Sequence, residues 1–134
     1  MEAVEIAVSR EQGRVPVTVF RMKGRVNLGT AEQLQAKARE VVEAGARDLL
    51  LDLTEVPSVT SAGLQAIHAI YQLLRAASPE GDEAMRTGQA GEPFKSPHLK
   101  LCHPSSDVRK VLQIAGYDLF LEIHDDMQDA VASF

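Results

Sequence analysis

Tryptophan is absent from this chain, and four phenylalanines and two tyrosines make aromatics only 4% of its 134 residues. Proteins that hold single-stranded nucleic acid stack bases on aromatic faces along a basic groove. Neither feature is present: 14 Lys and Arg stand against 19 Asp and Glu, a net charge of −5, whereas phosphate binding needs a cationic surplus. Nucleic acid is therefore not an expected partner. Cysteine is reduced to Cys102 alone, so no internal disulfide can form. Its setting in Leu99-Lys100-Leu101-Cys102 reads as a buried strand in which the thiol packs as a small hydrophobe. Long apolar runs are missing too, none approaching the ~20 residues of a membrane helix. The acidic opening Met1-Glu2-Ala3-Val4-Glu5 lacks the basic residues that begin a signal peptide. No membrane insertion and a reducing, cytoplasmic setting are the expectations.

What is there suffices for one domain. Hydrophobic residues make up 45% and charged residues 25%, the balance of an ordinary globule. Val4, Ile6 and Val8 alternate with Glu5, Ala7 and Ser9, the period of a half-buried strand. Gln12-Gly13-Arg14 turns the chain into a second β-rich run, Val15 to Met22, with Pro16 expected near its start or on an edge. Gly24 ends that strand. Thr30, with Gln33 three residues on, has the form of a capping box that opens a helix. Leu34, Ala38, Val41 and Val42 then share one face, and Gly45 is placed as a stop. Leu49-Leu50-Leu51 is a continuous apolar run, expected to be central and parallel to a neighbour.

A loop is expected from Thr54 to Thr60, then a helix carrying Leu64, Ile67, Tyr71 and Leu74 at helical spacing. Ser78 to Pro97 is rich in Pro and Gly and poor in apolar residues, so 78–97 reads as a flexible surface loop within the domain 1–134. A strand at Leu99–Cys102 follows. Val108, Val111, Leu112 and Ala115 make a helix face, Gly116 ends it, Leu119 to Ile123 is read as extended, and Asp125 as the cap of a last helix through Phe134. The expected architecture is α/β: a hairpin, then alternating helices and strands, giving a mixed, mostly parallel sheet of about five strands with about four helices packed on it.

Motifs for chemistry are few. His68, His98, His103 and His124 are scattered with no Cys pair and no i, i+4 spacing, so no metal site is expected. The chain has no P-loop, no Gly-x-Gly-x-x-Gly and no Gly-x-Ser-x-Gly elbow around Ser61. Asp125 and Asp126 read as helix-start acids rather than a catalytic pair. No catalytic residue and no cofactor are expected, and the chain is not read as an enzyme.

The informative stretch runs from Leu51 to Leu64. An apolar strand leads into a loop that delivers Thr60 and Ser61 to a helix start, followed at once by Ala62 and Gly63. A glycine in a first turn costs about 1 kcal/mol against alanine, so close approach by another backbone, within the fold or from a partner, is expected there. Asp52-Leu53-Thr54 and Thr60-Ser61-Ala62-Gly63-Leu64, preceded by Gly24-Arg25-Val26-Asn27 with Thr30-Ala31 and followed by Ala115-Gly116-Tyr117, resemble the motifs of the STAS family. That family comprises the bacterial anti-sigma factor antagonists and related modules, and the likeness spans essentially the whole chain.

The resemblance implies a regulatory, protein-binding switch. Ser61 matches the serine that antagonist members present for phosphorylation. The implied partners are an anti-sigma factor that is also a serine kinase of Bergerat type, and a serine phosphatase. The implied contact surface combines Gly24, Arg25, Asn27 and Thr30 with Ser58, Thr60, Ser61, Ala62, Gly63 and Leu64. Two departures stand out: Thr60 and Asn27 occupy positions where the family has acids near the phosphorylation site. They keep open a second reading, a STAS adaptor subunit without phosphorylation in a stress-signalling or lipid-transport complex. Taken by themselves, Ser61 also suits an N-cap, Asn27 a turn and Arg25 a solvated rim charge.

Overall fold

The computed structural model describes residues 4–77 and 95–134; of the loop expected at 78–97, residues 78–94 lie outside them. The alternating first segment forms β1 (Glu5–Gln12), which pairs antiparallel with β2 (Pro16–Lys23) through a turn at Gly13. Pro16 is the first residue of β2, where its missing N–H interrupts no inner ladder. Helix α1 (Leu28–Glu43) carries the chain to β3 (Leu49–Glu55), and α2 (Ser61–Ala77) follows. Beyond residue 95 come β4 (Leu99–Cys102), α3 (Ser106–Ile114), a 3₁₀ turn (Tyr117–Leu119), β5 (Glu122–His124) and α4 (Met127–Ala132). The sheet order is β1-β2-β3-β4-β5, with every pairing after the hairpin parallel. Among the described residues, no helix is long and apolar enough to cross a membrane.

Period-two alternation gives the sheet two apolar faces of unequal size. Phe20 and Met22, Leu49, Leu51 and Leu53, and Leu99 and Leu101 join Leu34 and Ala38 of α1, Ile67, Ile70 and Leu74 of α2, and Val108 and Leu112 of α3 in the main core. Val17, Val19, Leu50 and Cys102 point the other way and form a smaller cluster with Ala130 and Val131 of α4. The central position expected for Leu49-Leu50-Leu51 is met, since β3 lies between β2 and β4 and all three leucines are buried.

Four local readings are corrected. Helix α1 begins at Leu28, not at Thr30: Asn27 is the N-cap, its Oδ1 accepting from Gly29 N at 2.9 Å. Thr30 is the third helical residue of that capping box, and its Oγ1 accepts from Asn27 N at 3.0 Å. Asn caps at least as well as Thr, and Gln33 is engaged with the backbone of Val4 instead. Strand β3 continues through Thr54 to Glu55. Leu119 is not extended: Gly116 adopts φ +81° and folds Tyr117–Leu119 into a 3₁₀ turn, so β5 starts only at Glu122. At the last helix the cap is Asp126, which accepts from Asp129 N, while Asp125 pairs with Arg109 and the helix ends at Ala132.

Candidate functional site

Two chain segments leave neighbouring parallel strands at the same sheet end, and their backbones join. Gly24 N donates to Glu55 O at 3.1 Å, Val26 N to Ser58 O at 3.1 Å, and Thr60 N to Val26 O at 3.0 Å. Val26 and Val59 form an isolated parallel bridge, and both are buried. The β2 exit and the β3 exit are thus one continuous platform rather than two independent loops.

Gly63 explains how tightly they meet. A Cβ at this position would overlap the Val26 carbonyl oxygen and come within 2.9 Å of Val59 Cγ1. The close backbone approach expected of this glycine is internal to the fold. It seats the first turn of α2 on the β2 exit.

On this platform the side chains sort by depth. Ser61 is the first residue of α2 and is exposed. The carbonyl of Thr60 accepts from Leu64 N at 2.9 Å, so Thr60 takes the capping position and Ser61 follows it. Thr60 and Arg25 are exposed; Gly24, Asn27, Ser58, Ala62 and Leu64 are half-buried. Thr30 and Gly63 lie beneath the surface, with Thr30 only 1% exposed and its Oγ1 donating to Arg25 O at 2.6 Å. These two support the platform from below.

Leu28, which periodicity did not mark because it precedes the first buried turn of α1, is 83% exposed beside Asn27. Asp52, of the strand-end motif, accepts from Thr54 N at 3.0 Å and Thr54 Oγ1 at 2.6 Å; it fixes the strand exit.

The Ala115-Gly116-Tyr117 motif reaches the same helix. Tyr117 Oη donates to Leu64 O at 2.7 Å, and burial raises its phenol above the usual value. Tyr117 and Phe120 rings lie 5.0 Å apart, and Phe120 meets Tyr71 and His68 of α2 at 5.1 and 5.9 Å. The 3₁₀ turn therefore braces α2 along its length.

Of the other histidines, His98 Nδ1 lies 2.9 Å from Asp48 and His124 Nε2 lies 3.0 Å from Glu122. Cys102 is buried in β4 as expected, and its thiol is pushed up to about 12, by desolvation first and then by the Asp52 charge.

Sequence reasoning missed Lys100. Although it lies in the strand read as buried, its own burial at 3% exposure had no signal in composition. Only the alternation with Leu99 and Leu101 places it on the second face.

The STAS domain model matches residues 7–79, more than half of the chain. BtrV of Bordetella bronchiseptica, named as a candidate anti-sigma factor antagonist, is 28% identical over 113 residues, which cover 84% of this chain and 82% of BtrV. An anti-sigma factor antagonist from Mycobacterium paratuberculosis superposes with a TM-score of 0.73 at 20% identity, over 97% of this chain and 92% of its own. The Bacillus cell fate determinant SpoIIAA, in its phosphorylated form, superposes with a TM-score of 0.58 at 20% identity, over 93% of this chain and 96% of its own. The family match runs from within β1 through α2, including both strand exits and Ser61, and the fold of the solved relatives extends over the rest: the chain belongs to the STAS domain family.

Proposed function

We propose that this domain is an anti-sigma factor antagonist-type switch in the cytoplasm, with Ser61 as phosphoacceptor. The β2 exit and the start of α2 form its docking surface. The observation that carries this reading is the exposure of Ser61 at the first position of a 17-residue helix, on the rim of the joined strand exits. Relatives named as antagonists and a phosphorylated structure of the same fold support it.

The chemistry follows from position. The first N–H groups of a helix have no intrahelical acceptors, and the helix dipole favours an anion there. A phosphoserine adds about −1.5 to −2 charge at pH 7. At an exposed helix start, water and backbone N–H groups accommodate that charge. A partner that packs against a neutral hydroxyl would have to bury it, which is unfavourable without a matching cation. The unmodified form would bind an anti-sigma factor that is a serine kinase of Bergerat type. The phosphorylated form would leave it, and a serine phosphatase would restore the first state.

The test is phosphate mapping by mass spectrometry after incubation with the serine kinases encoded in the same genome. Phosphate on Ser61, and its loss in Ser61→Ala, is the expected result; no label on Ser61 with any cognate kinase removes the switch.

Thr60, where the family carries an acid, favours the second reading, an adaptor without phosphorylation. Asn27 argues less strongly for it, because its side chain caps α1 as an Asp would. Pull-downs that recover the same partners with wild type, Ser61→Ala and Ser61→Asp would select the adaptor.

A further inference from the structure

The second sheet face is held shut in an unusual way. Val17, Val19, Leu50 and Cys102 are each 0% exposed there, beneath Ala130 and Val131 of α4 with Met127 and Phe134 packed alongside. A helix of six residues has no stability of its own in water, so side contacts must keep α4 in place.

Lys100 supplies the main one. Its ammonium lies 3.0 Å from the Glu122 carboxylate, donates to Ser133 O at 2.8 Å and Ser133 Oγ at 3.0 Å, and stands 4.9 Å from the Phe134 ring centroid. Lysine is almost never this buried unless paired. Apart from Glu122 on the adjacent strand, these contacts are to the chain just beyond α4. The other side of the helix is met by the hairpin turn, where a Cβ on Gly13 would come within 2.6 Å of Val131 O. None of these contacts reaches the main core, which closes independently on the opposite face.

We propose that Met127–Phe134 is a strap that Lys100 latches onto the sheet. It lifts as a unit while the main core and the Ser61 platform stay folded, uncovering the Val17–Val19–Leu50 strip and the Cys102 thiol. Small clusters on separate faces open locally at lower free energy than the whole domain unfolds. The strap does not depend on phosphorylation or on a partner.

Cys102 is the chain's one cysteine, so its modification by a soluble aromatic disulfide reagent reads the strap directly. With the full-length wild type, labelling should depend on denaturant much more weakly than global unfolding does. Lys100→Met, which removes the latch, and Gly13→Ala, which crowds Val131, should each speed labelling in native buffer by tenfold or more. Amide exchange at Leu51 and Leu53, in the middle of β3, should stay at wild-type rates. The proposal is overturned if wild-type labelling tracks global unfolding, if neither variant speeds it, or if both variants accelerate Leu51 and Leu53 exchange by the same factor as labelling.

Discussion

Gly63 and Asn27 show how single residues shape the platform by different physics. Alanine at 63 would gain about 1 kcal/mol in helix propensity, but its methyl would meet a backbone carbonyl that cannot rotate away. Overpacking of this kind costs about 1–3 kcal/mol, and a fixed obstacle belongs at the upper end. Gly63→Ala should therefore lower stability by about 2 kcal/mol, read as a shift of the urea midpoint at constant slope; an unchanged or higher midpoint would refute the contact. Asn27→Ala removes a cap and should cost about 1 kcal/mol, whereas Asn27→Asp should retain wild-type stability. Thermal melts of the pair separate a capping role from a role confined to partner contact, which would leave both melts unchanged.

Elements are tied together by a few polar contacts whose loss can be measured. The 3₁₀ turn reaches α2 through Tyr117 Oη and Leu64 O. Tyr117→Phe keeps the ring packing and removes one donor, so a loss of about 1 kcal/mol is expected.

Between β4 and β5, burial alone would raise the Glu122 carboxyl. Hydrogen bonding and charge from Lys100, then from His124, outweigh burial and hold it below its ordinary 4.5. Because the folded-state value is the lower one, the contribution is complete above pH 4.5 and disappears as pH falls through that lower value. Unfolding midpoints of wild type should fall more steeply below pH 4.5 than those of Lys100→Met. Parallel profiles would show that the Lys100–Glu122 pair contributes nothing.

For the molecule as a whole, Ser61 sits on the exposed rim and the core lies beneath it. Ser61→Asp adds charge where water and the helix start tolerate it. Its circular dichroism and melting temperature should match wild type within about 2 °C, since surface changes away from packed features stay within about 0.5 kcal/mol. Binding to the anti-sigma partner proposed above should nevertheless drop at least tenfold, as titration calorimetry would read it. A variant that loses binding together with its fold would place the effect in the core instead.

Order and type of the elements were legible in the chain because alternation and helical spacing are local signals. The buried run at Leu49-Leu50-Leu51 and the α2 face of Ile67, Tyr71 and Leu74 lie where their patterns put them, and β1 forms where its alternation put a strand, although Val8 is 41% exposed and Ser9 half-buried. Two of the boundaries failed where two residues compete for one local job, and a third where a glycine overrides apolar content. Asn27 outranks Thr30 as a cap, Asp126 outranks Asp125, and Gly116 turns a segment whose apolar content alone suggested a strand.

Residue types and their spacing alone determined the α/β order, the burial of Cys102 and the motif around Ser61. Tertiary structure decided that the β2 and β3 exits fuse through Val26, that Thr30 and Gly63 work from below, and that Lys100 is buried. Periodicity says which side of a strand or helix is apolar. It carries no information about which distant backbone will press against that side, and that juxtaposition is set only when the parallel strands align in register.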